Sequence, residues 1–273
     1  MPETILKFWG VRGSIPTPGP ENIGFGGNTA CIEIRSQADT LIVDAGTGVR
    51  SLGLCMRERQ RNAHLKLHFL LTHFHWDHVQ GLPFFAPLYE AGNEVAFYSG
   101  CRAEELRGIL EGQMASPYFP VPFEFLPAKR DFVEMNRSGQ PAASAIVHPF
   151  PLHHPQQATG FRIELNGSVI THASDFEHGN AKLDCILQEY ARGADVLICD
   201  AQYTPEEYER HKGWGHSTWL EAARIANQCD VGRLILFHHD PSHDDDCLKR
   251  IEAEARLRFP NTDVAREGWE LVL

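Results

Sequence analysis

The segment Thr72-His73-Phe74-His75-Trp76-Asp77-His78 follows directly on the apolar run Leu67–Leu71. It is the feature that most restricts what this chain can fold into. In an extended segment residues two apart point the same way, so His73 and His75 can grip one cation together. Asp77 and His78, on the turn that follows, project to a second position. A pair of divalent ions about 3.5–4 Å apart would use both sets. A lone histidine is ordinarily a surface or hydrogen-bonded core residue, but a cluster this dense at the end of a buried strand needs another explanation. Neutral imidazole with some carboxylate suits zinc, and also manganese or iron, better than magnesium or calcium. Two metals need further ligands, and other strand ends are where they belong. Three places fit: His153-His154, Asp175 in THASD (171–175), and His238-His239 after RLILF (233–237).

The remaining pattern supplies those strands. Apolar, β-branched runs bounded by Gly, Asp or polar turns predict strands at Ile5–Val11, Thr29–Ile34, Thr40–Val43, Lys66–Leu71, Glu94–Ser99, Ala145–His148, Gly160–Leu165, Ser168–Thr171, Asp195–Cys199 and Arg233–Phe237. Apolar positions recurring at three and four residues predict helices at Val49–Arg61, Ala103–Met114, Ala181–Arg192, Thr204–His211, Ser217–Gln228 and His243–Phe259. Strand clusters in both halves, each accompanied by helices, predict two sheets face to face with helices outside, a four-layer α/β/β/α sandwich. No low-complexity linker divides the chain, so one domain is expected over residues 1–273. The Pro-rich stretch Ser116–Pro122 is a loop that either walls a pocket or packs Tyr118 and Phe119 onto the core.

Composition narrows the function. The chain has 273 residues, 42% of them apolar, and a net charge of −11, which describes a globular protein whose field repels a long polyanion. No basic run offsets that field, so no long nucleic acid is expected as a partner. Nothing resembles a secretory leader or a stretch of 18 uncharged apolar residues, so a cytoplasmic protein with no membrane partner is expected. The seven cysteines are scattered with no C-x-x-C pair and are expected to be buried thiols. The 15 histidines remain the unusual count.

Through H73-F-H75-W-D77-H78 and the order of the later ligands, the sequence resembles the metallo-β-lactamase superfamily over nearly its whole length. More narrowly, GVRGS (10–14), GGNTACIEI (26–34), DAGTG (44–48), GHST (215–218) and LFHHDP (236–241) resemble its phosphodiesterase branch, which includes cyclic-nucleotide phosphodiesterase-like proteins and ribonuclease Z. The resemblance implies that His73, His75 and His154 hold one metal, that Asp77, His78 and His238 hold the other, and that Asp175 bridges both. Within His153-His154 the residue before Pro155 is preferred; within His238-His239, the first after the strand. Asp44 is implied to orient a metal-bound histidine from behind. His216, just ahead of a helix, is implied to contact the scissile phosphate or assist the leaving oxygen, with Asp200 holding it in orientation. Gly46 and Gly48 permit close backbone approach near the site.

The expected activity is hydrolysis of a phosphodiester in a small substrate, cyclic nucleotides leading. Two cations, zinc before manganese or iron, lower the pKa of a shared water that attacks phosphorus, with Asp77, Asp175 and His216 as the catalytic side chains. The alternatives are a transfer-RNA 3′-end endonuclease like ribonuclease Z, or hydrolysis of a lactone, thioester or β-lactam on the same metals. A di-iron oxidoreductase and a non-catalytic metal-binding module rank below these. A homodimer is the family expectation.

Overall fold

The central strands are apolar on both sides because each is covered twice. In the computed structural model, which describes residues 3–36, 40–59 and 63–273, Leu234 and Leu236 of one strand face helices while its Ile235 and Phe237 face a second sheet. Val196 and Ile198 alternate with Leu197 and Cys199 in the same way. This period-two division of an unbroken apolar run marks a strand buried on both faces.

The first sheet has the order β14-β1-β2-β3-β4-β5-β6, built from β1 (Ile5–Gly10), β2 (Cys31–Arg35), β3 (Thr40–Val43), β4 (Lys66–Leu70), β5 (Glu94–Ser99), β6 (Lys129–Glu134) and β14 (Glu270–Val272). The second has the order β13-β12-β11-β10-β9-β8-β7, from β7 (Gln140–Ala142), β8 (Ala145–Leu152), β9 (Ala158–Leu165), β10 (Ser168–Ala173), β11 (Val196–Asp200), β12 (Arg233–Phe237) and β13 (Thr262–Val264). Helices α1 (Gly48–Arg59) and α3 (Ala103–Gln113) cover the first sheet, and α4 (Ala181–Ala191), α6 (Trp219–Gln228) and α7 (Asp245–Arg256) the second. The short helices α2 (Trp76–Val79) and α5 (Pro205–His211) lie in connections. Three apolar layers result, one between the sheets and one under each set of helices, which is the expected α/β/β/α sandwich.

Strands β3 to β6 run parallel, as do β10 to β13. Their carboxyl ends carry Asp44, the His73–His78 motif, Asp175, Asp200 and His238, the place where open parallel sheets position ligands. The four strands absent from the sequence reading are β6, β7, β13 and β14, and each closes the edge of a sheet. Edges tolerate charge and proline, as in Lys129-Arg-Asp-Phe-Val-Glu134 and at Pro141, so the apolar signal is missing where it is not needed. Helix α1 ends at Arg59; the expected end at Arg61 lies outside the described residues. Helices α6 and α7 begin two residues later than expected, after side-chain caps from Thr218 and Asp244.

No disulfide joins the cysteines, but only Cys31, Cys199 and Cys229 are buried; Cys185 is exposed, contrary to the expectation for it. Among the described residues no helix is long and apolar enough to cross a membrane.

Phe8 of one sheet meets Phe237 of the other, ring centroids 6.0 Å apart and both rings fully buried. Phe8→Ala should cost about 3–5 kcal/mol in urea unfolding, the range for a large core side chain replaced without collapse of the site. A loss below about 1 kcal/mol would show that the inter-sheet layer can repack.

Candidate metal centre

The ends of four strands, β4, β8, β10 and β12, bring the predicted ligands into one largely buried cluster. His75 Nδ1 lies 3.2 Å from His154 Nε2, and the His73 ring is within 5 Å of both, at centroid distances of 4.5 and 4.9 Å. Beside them, His78 Nε2 lies 3.2 Å from His238 Nε2, and Asp77 Oδ2 lies 3.3 and 3.1 Å from the same two nitrogens. Asp175 sits between the groups. Its Oδ1 is 3.7 Å from His73 Nε2, and its Oδ2 is 3.2 Å from His78 Nε2 and 3.4 Å from His238 Nε2.

The far nitrogen of every one of these imidazoles faces an acceptor. His78 Nδ1 donates to Asp44 Oδ2 at 2.7 Å, His154 Nδ1 to the Gly215 carbonyl at 2.9 Å, and His238 Nδ1 to Gln202 Oε1 at 2.9 Å. His73 Nδ1 donates to the Thr72 hydroxyl at 3.0 Å, which in turn donates to Asp44, and His75 Nε2 pairs with Gln156 Oε1. These acceptors take one N–H from each ring, so the other nitrogen of all five turns inward toward its neighbours and two carboxylates, where a proton or a metal ion must stand. Lone pairs 3.2 Å apart repel unless a cation stands between them. His73 Nε2, buried and without any hydrogen-bond partner, is the plainest sign of it. The donor set fits divalent metal ions, with the outer hydrogen bonds supplying the orientation that metal-bound histidines need.

In the metal-free cluster the electrostatics divide the rings, keeping His73 neutral and drawing a proton onto His78. Burial holds His73 well below the ordinary histidine range, and the neighbouring His78 pushes it further down. Burial works against a charged Asp175, yet His238, His78 and His73 hold its carboxyl well below the usual range; Asp77 is lowered in the same way, chiefly by His78 and His238. Burial opposes a charged His78 as well, but Asp175, Asp77 and Asp44 together raise it.

Three of these strand-end residues have left-handed backbones: Asp44 at φ 60°, Asp175 at 59° and His238 at 63°. Such conformations cost of order 1–3 kcal/mol each and persist where the surroundings impose them. Gly46 is required by proximity, since a Cβ there would stand 2.3 Å from the Asp77 carbonyl oxygen; Gly48 similarly abuts the Trp9 carbonyl.

His216 stands at the edge of the cluster, its ring stacked on His238 at 5.0 Å. Its Nδ1 donates to Asp200 Oδ2 at 3.0 Å, and Asp200 also accepts the backbone N–H groups of Asp175 and Ser217. Burial opposes its charge, but Asp200, followed by Asp175 and Asp77, raises its pKa to about 9. His216 also falls within ligand distance of His154 and Asp175, and of Asp200 and His238. With Nδ1 given to Asp200, its Nε2 is the atom left for other chemistry.

The neighbouring histidines are turned elsewhere. His153 Nδ1 faces the Glu177 carbonyl and His239 Nε2 the Ala265 carbonyl, so the cluster contains His154 and His238 instead. Among the histidines without a predicted role, His172 is buried between the sheets with neither ring nitrogen partnered, and burial lowers it to about 4. A cleft of about 960 Å³ opens beside His73 and His75. Residues 116–122 do not line it; Phe119 packs edge-on against Phe84 at 5.7 Å, but Tyr118 is exposed, so the packing reading of that loop holds for Phe119 alone.

Four supporting residues escaped the sequence reading. Arg12, fully buried, donates to the carbonyls of Gly26, Asp240 and His243 and to Asn22 Oδ1, and so clamps the loop whose Ser14 N–H donates to Asp77 Oδ2 at 2.7 Å. Gln202 and Gln156 orient His238 and His75. Glu177 accepts the N–H groups of Gly213 and Gly215 and braces the loop that carries His216. Only the GVRGS resemblance touched any of them, because glutamine and arginine carry no period or spacing that announces a supporting role.

Two outcomes test this geometry. Asp175→Ala should bind markedly less metal than the parent protein by elemental analysis, since the residue faces both groups; undiminished metal content would contradict that placement. In the metal-free protein the His216 ring should titrate near pH 9 by NMR, falling toward or below its ordinary value of about 6.5 in Asp200→Asn. Its stabilising share is complete below about pH 6.5 and lost as pH rises through about 9.

The comparisons with known proteins agree with the site. The family profile described as "Beta-lactamase superfamily domain" matches residues 39–239. A ribonuclease Z from Bradyrhizobium sp. is 25% identical, covering 96% of this chain and 97% of its own, and further ribonuclease Z sequences match over about a third of their length. Among solved structures, the metallo-β-lactamase fold protein YhfI from Bacillus subtilis superposes with a TM-score of 0.76 at 17% identity over all of both chains. A diphosphatase of the PhnP family superposes with a TM-score of 0.71 at 18% identity over 99% of this chain and 97% of its own. A profile that covers most of the chain, on a fold whose strand ends gather this cluster, places the protein in the β-lactamase superfamily as a metal-dependent hydrolase.

Proposed function

We propose that the protein is a phosphodiesterase that works with two divalent metal ions, zinc foremost, and cleaves a small phosphodiester. His73, His75 and His154 would hold one ion, Asp77, His78 and His238 the other, and Asp175 would reach both. Ions bound there supply an activated water near neutral pH and neutralise charge on the phosphate. The rest falls to the chain itself. Asp44, Thr72, Gln202 and the Gly215 carbonyl fix the tautomers of the histidines.

The observation that carries the mechanism is His216. Asp200 holds its Nδ1–H and raises the pKa of the ring, leaving Nε2 free at the edge of the cluster. Hydrolysis of a phosphodiester expels an alkoxide, which such a proton would neutralise; a lactone or β-lactam leaving group would use it as well, so the choice of phosphorus rests on the similar proteins. A PhnP-family diphosphatase and ribonuclease Z among the similar proteins support phosphorus as the centre attacked.

Cyclic nucleotides are our leading substrates, and RNA 3′-end cleavage is the second reading, favoured by the ribonuclease Z sequences. The Bradyrhizobium relative aligns over 309 positions, more than the 273 residues of this chain, so it contains insertions that this chain does not. That, and the net charge of −11, favour the small substrate.

The test is turnover by zinc- or manganese-loaded protein of bis-p-nitrophenyl phosphate, a lactone, a β-lactam and a precursor transfer RNA with a 3′ trailer. Diester turnover without cleavage of the RNA is expected. Cleavage of the RNA alone would favour the second reading, and lactone turnover alone would move the chemistry to carbon. His216→Ala should keep its metal and lose about 10²-fold or more in kcat on a diester with an alkoxide leaving group, such as a cyclic nucleotide, and lose far less on bis-p-nitrophenyl phosphate, whose leaving group needs no proton. In the parent enzyme kcat on the alkoxide-releasing diester should fall as pH rises through the His216 pKa, since a general acid must be protonated; an unchanged kcat in the variant on that diester would remove the proton-donor role.

A further inference from the structure

The carboxyl rim of the first sheet does not end at the metal centre. Strand β3 ends in Asp44, β4 leads into His73 and His75, and the next two parallel strands each place an arginine at the same height. Ser99 of β5 pairs with Glu134 of β6, and Arg102 and Arg137 each stand three residues beyond that pair. Neighbouring strands are spaced by about 4.8 Å, so the two arginines begin roughly 5 and 10 Å along the rim from the histidine strand. Both line the cleft of about 960 Å³ that opens at His73 and His75. Glu105 and Glu134 line it too, yet among the described residues neither arginine forms an ion pair with them or with any other carboxylate. Unpaired guanidinium groups beside a phosphate-hydrolysing centre are matched to bidentate recognition of a second phosphate. The cleft volume also stands at the top of the range of about 300–1,000 Å³ for small-molecule sites, more room than a single cyclic mononucleotide would fill.

We infer that this cleft receives the part of the substrate that lies on the His73 and His75 side of the scissile bond, and that Arg102 and Arg137 engage a second phosphate there. The inference rests on the phosphodiesterase reading and makes it narrower: the substrate is a nucleotide diester that carries at least two phosphates, such as a cyclic dinucleotide or a short oligonucleotide end. The arginines act in binding and specificity, not in the bond-breaking step.

The test uses the zinc-loaded enzyme and two probes, adenosine 3′,5′-bisphosphate and adenosine 5′-monophosphate, titrated calorimetrically. The bisphosphate should bind about tenfold or more tightly, the return from two charge-assisted contacts. In R102Q/R137Q that preference should fall to about one while the monophosphate keeps its affinity, and R102K/R137K should recover part of it. Absence of a preference in the parent enzyme overturns the proposal, and so does a preference that survives in R102Q/R137Q. Loss of monophosphate binding in R102Q/R137Q overturns it as well, because the arginines would then be maintaining the centre itself. Both residues are exposed, so the substitutions remove no core packing. Failure of the underlying reading has a different signature: the parent enzyme would not turn over bis-p-nitrophenyl phosphate, while a preference for the bisphosphate that R102Q/R137Q abolishes would still assign an anion-binding cleft.

Discussion

Everything in this structure answers to one electrostatic constraint, the inward convergence of five imidazole nitrogens and two carboxylates at the edge of an open cleft. Such a cluster is unstable without cations, since each ring has given its N–H outward to Asp44, Thr72, Gln156, Gln202 or the Gly215 carbonyl. Those outward bonds are what the fold provides. They come from the ends of strands in two different sheets, so the sandwich must be assembled before the cluster exists. The left-handed backbones at Asp44, Asp175 and His238 are local costs, and the packing of both sheets keeps them in place.

How far the sequence carried the argument depends on what each residue must announce. The strands that build the centre are covered on both faces, so their apolar runs were plain, and the ligand types that follow them could be located by position. The pairs His153-His154 and His238-His239 were separable only by a turn proline and by distance from the strand; the structure resolves them through the direction of each ring, with His153 and His239 bound to backbone carbonyls. Edge strands such as β6 and β7 were invisible because an edge benefits from charge and proline. Arg12, Gln202 and Glu177 were invisible for another reason. Their work depends on which backbone groups the fold delivers to them, and no one-dimensional pattern records that. The cysteines show the converse: a general tendency to burial did not determine Cys185, which is exposed on α4.

His172 shows how local this chemistry is. It lies three residues before Asp175 at the same strand end, on the side facing Phe237, and has no partner for either nitrogen. Burial keeps it neutral, so its presence between the sheets adds no charge to the site. The histidine count alone would therefore have overstated the metal centre, and position relative to the strand ends decides which rings take part.

Charge gives the last step. The chain is acidic overall at −11, and Asp44, Asp77, Asp175 and Asp200 are all buried at the one place where a phosphate would have to react. Left to itself such a site repels an anion. Two divalent ions would contribute about +4, enough to balance four carboxylates, and Asp200 would hold the Nδ1–H of His216 beside them. Metal occupancy would then do more than supply a nucleophile: it would decide whether an anionic substrate can approach at all. Because that correction is local, it leaves the net charge of −11 in place elsewhere, and under the proposed reading this charge would favour short substrates over long polyanions.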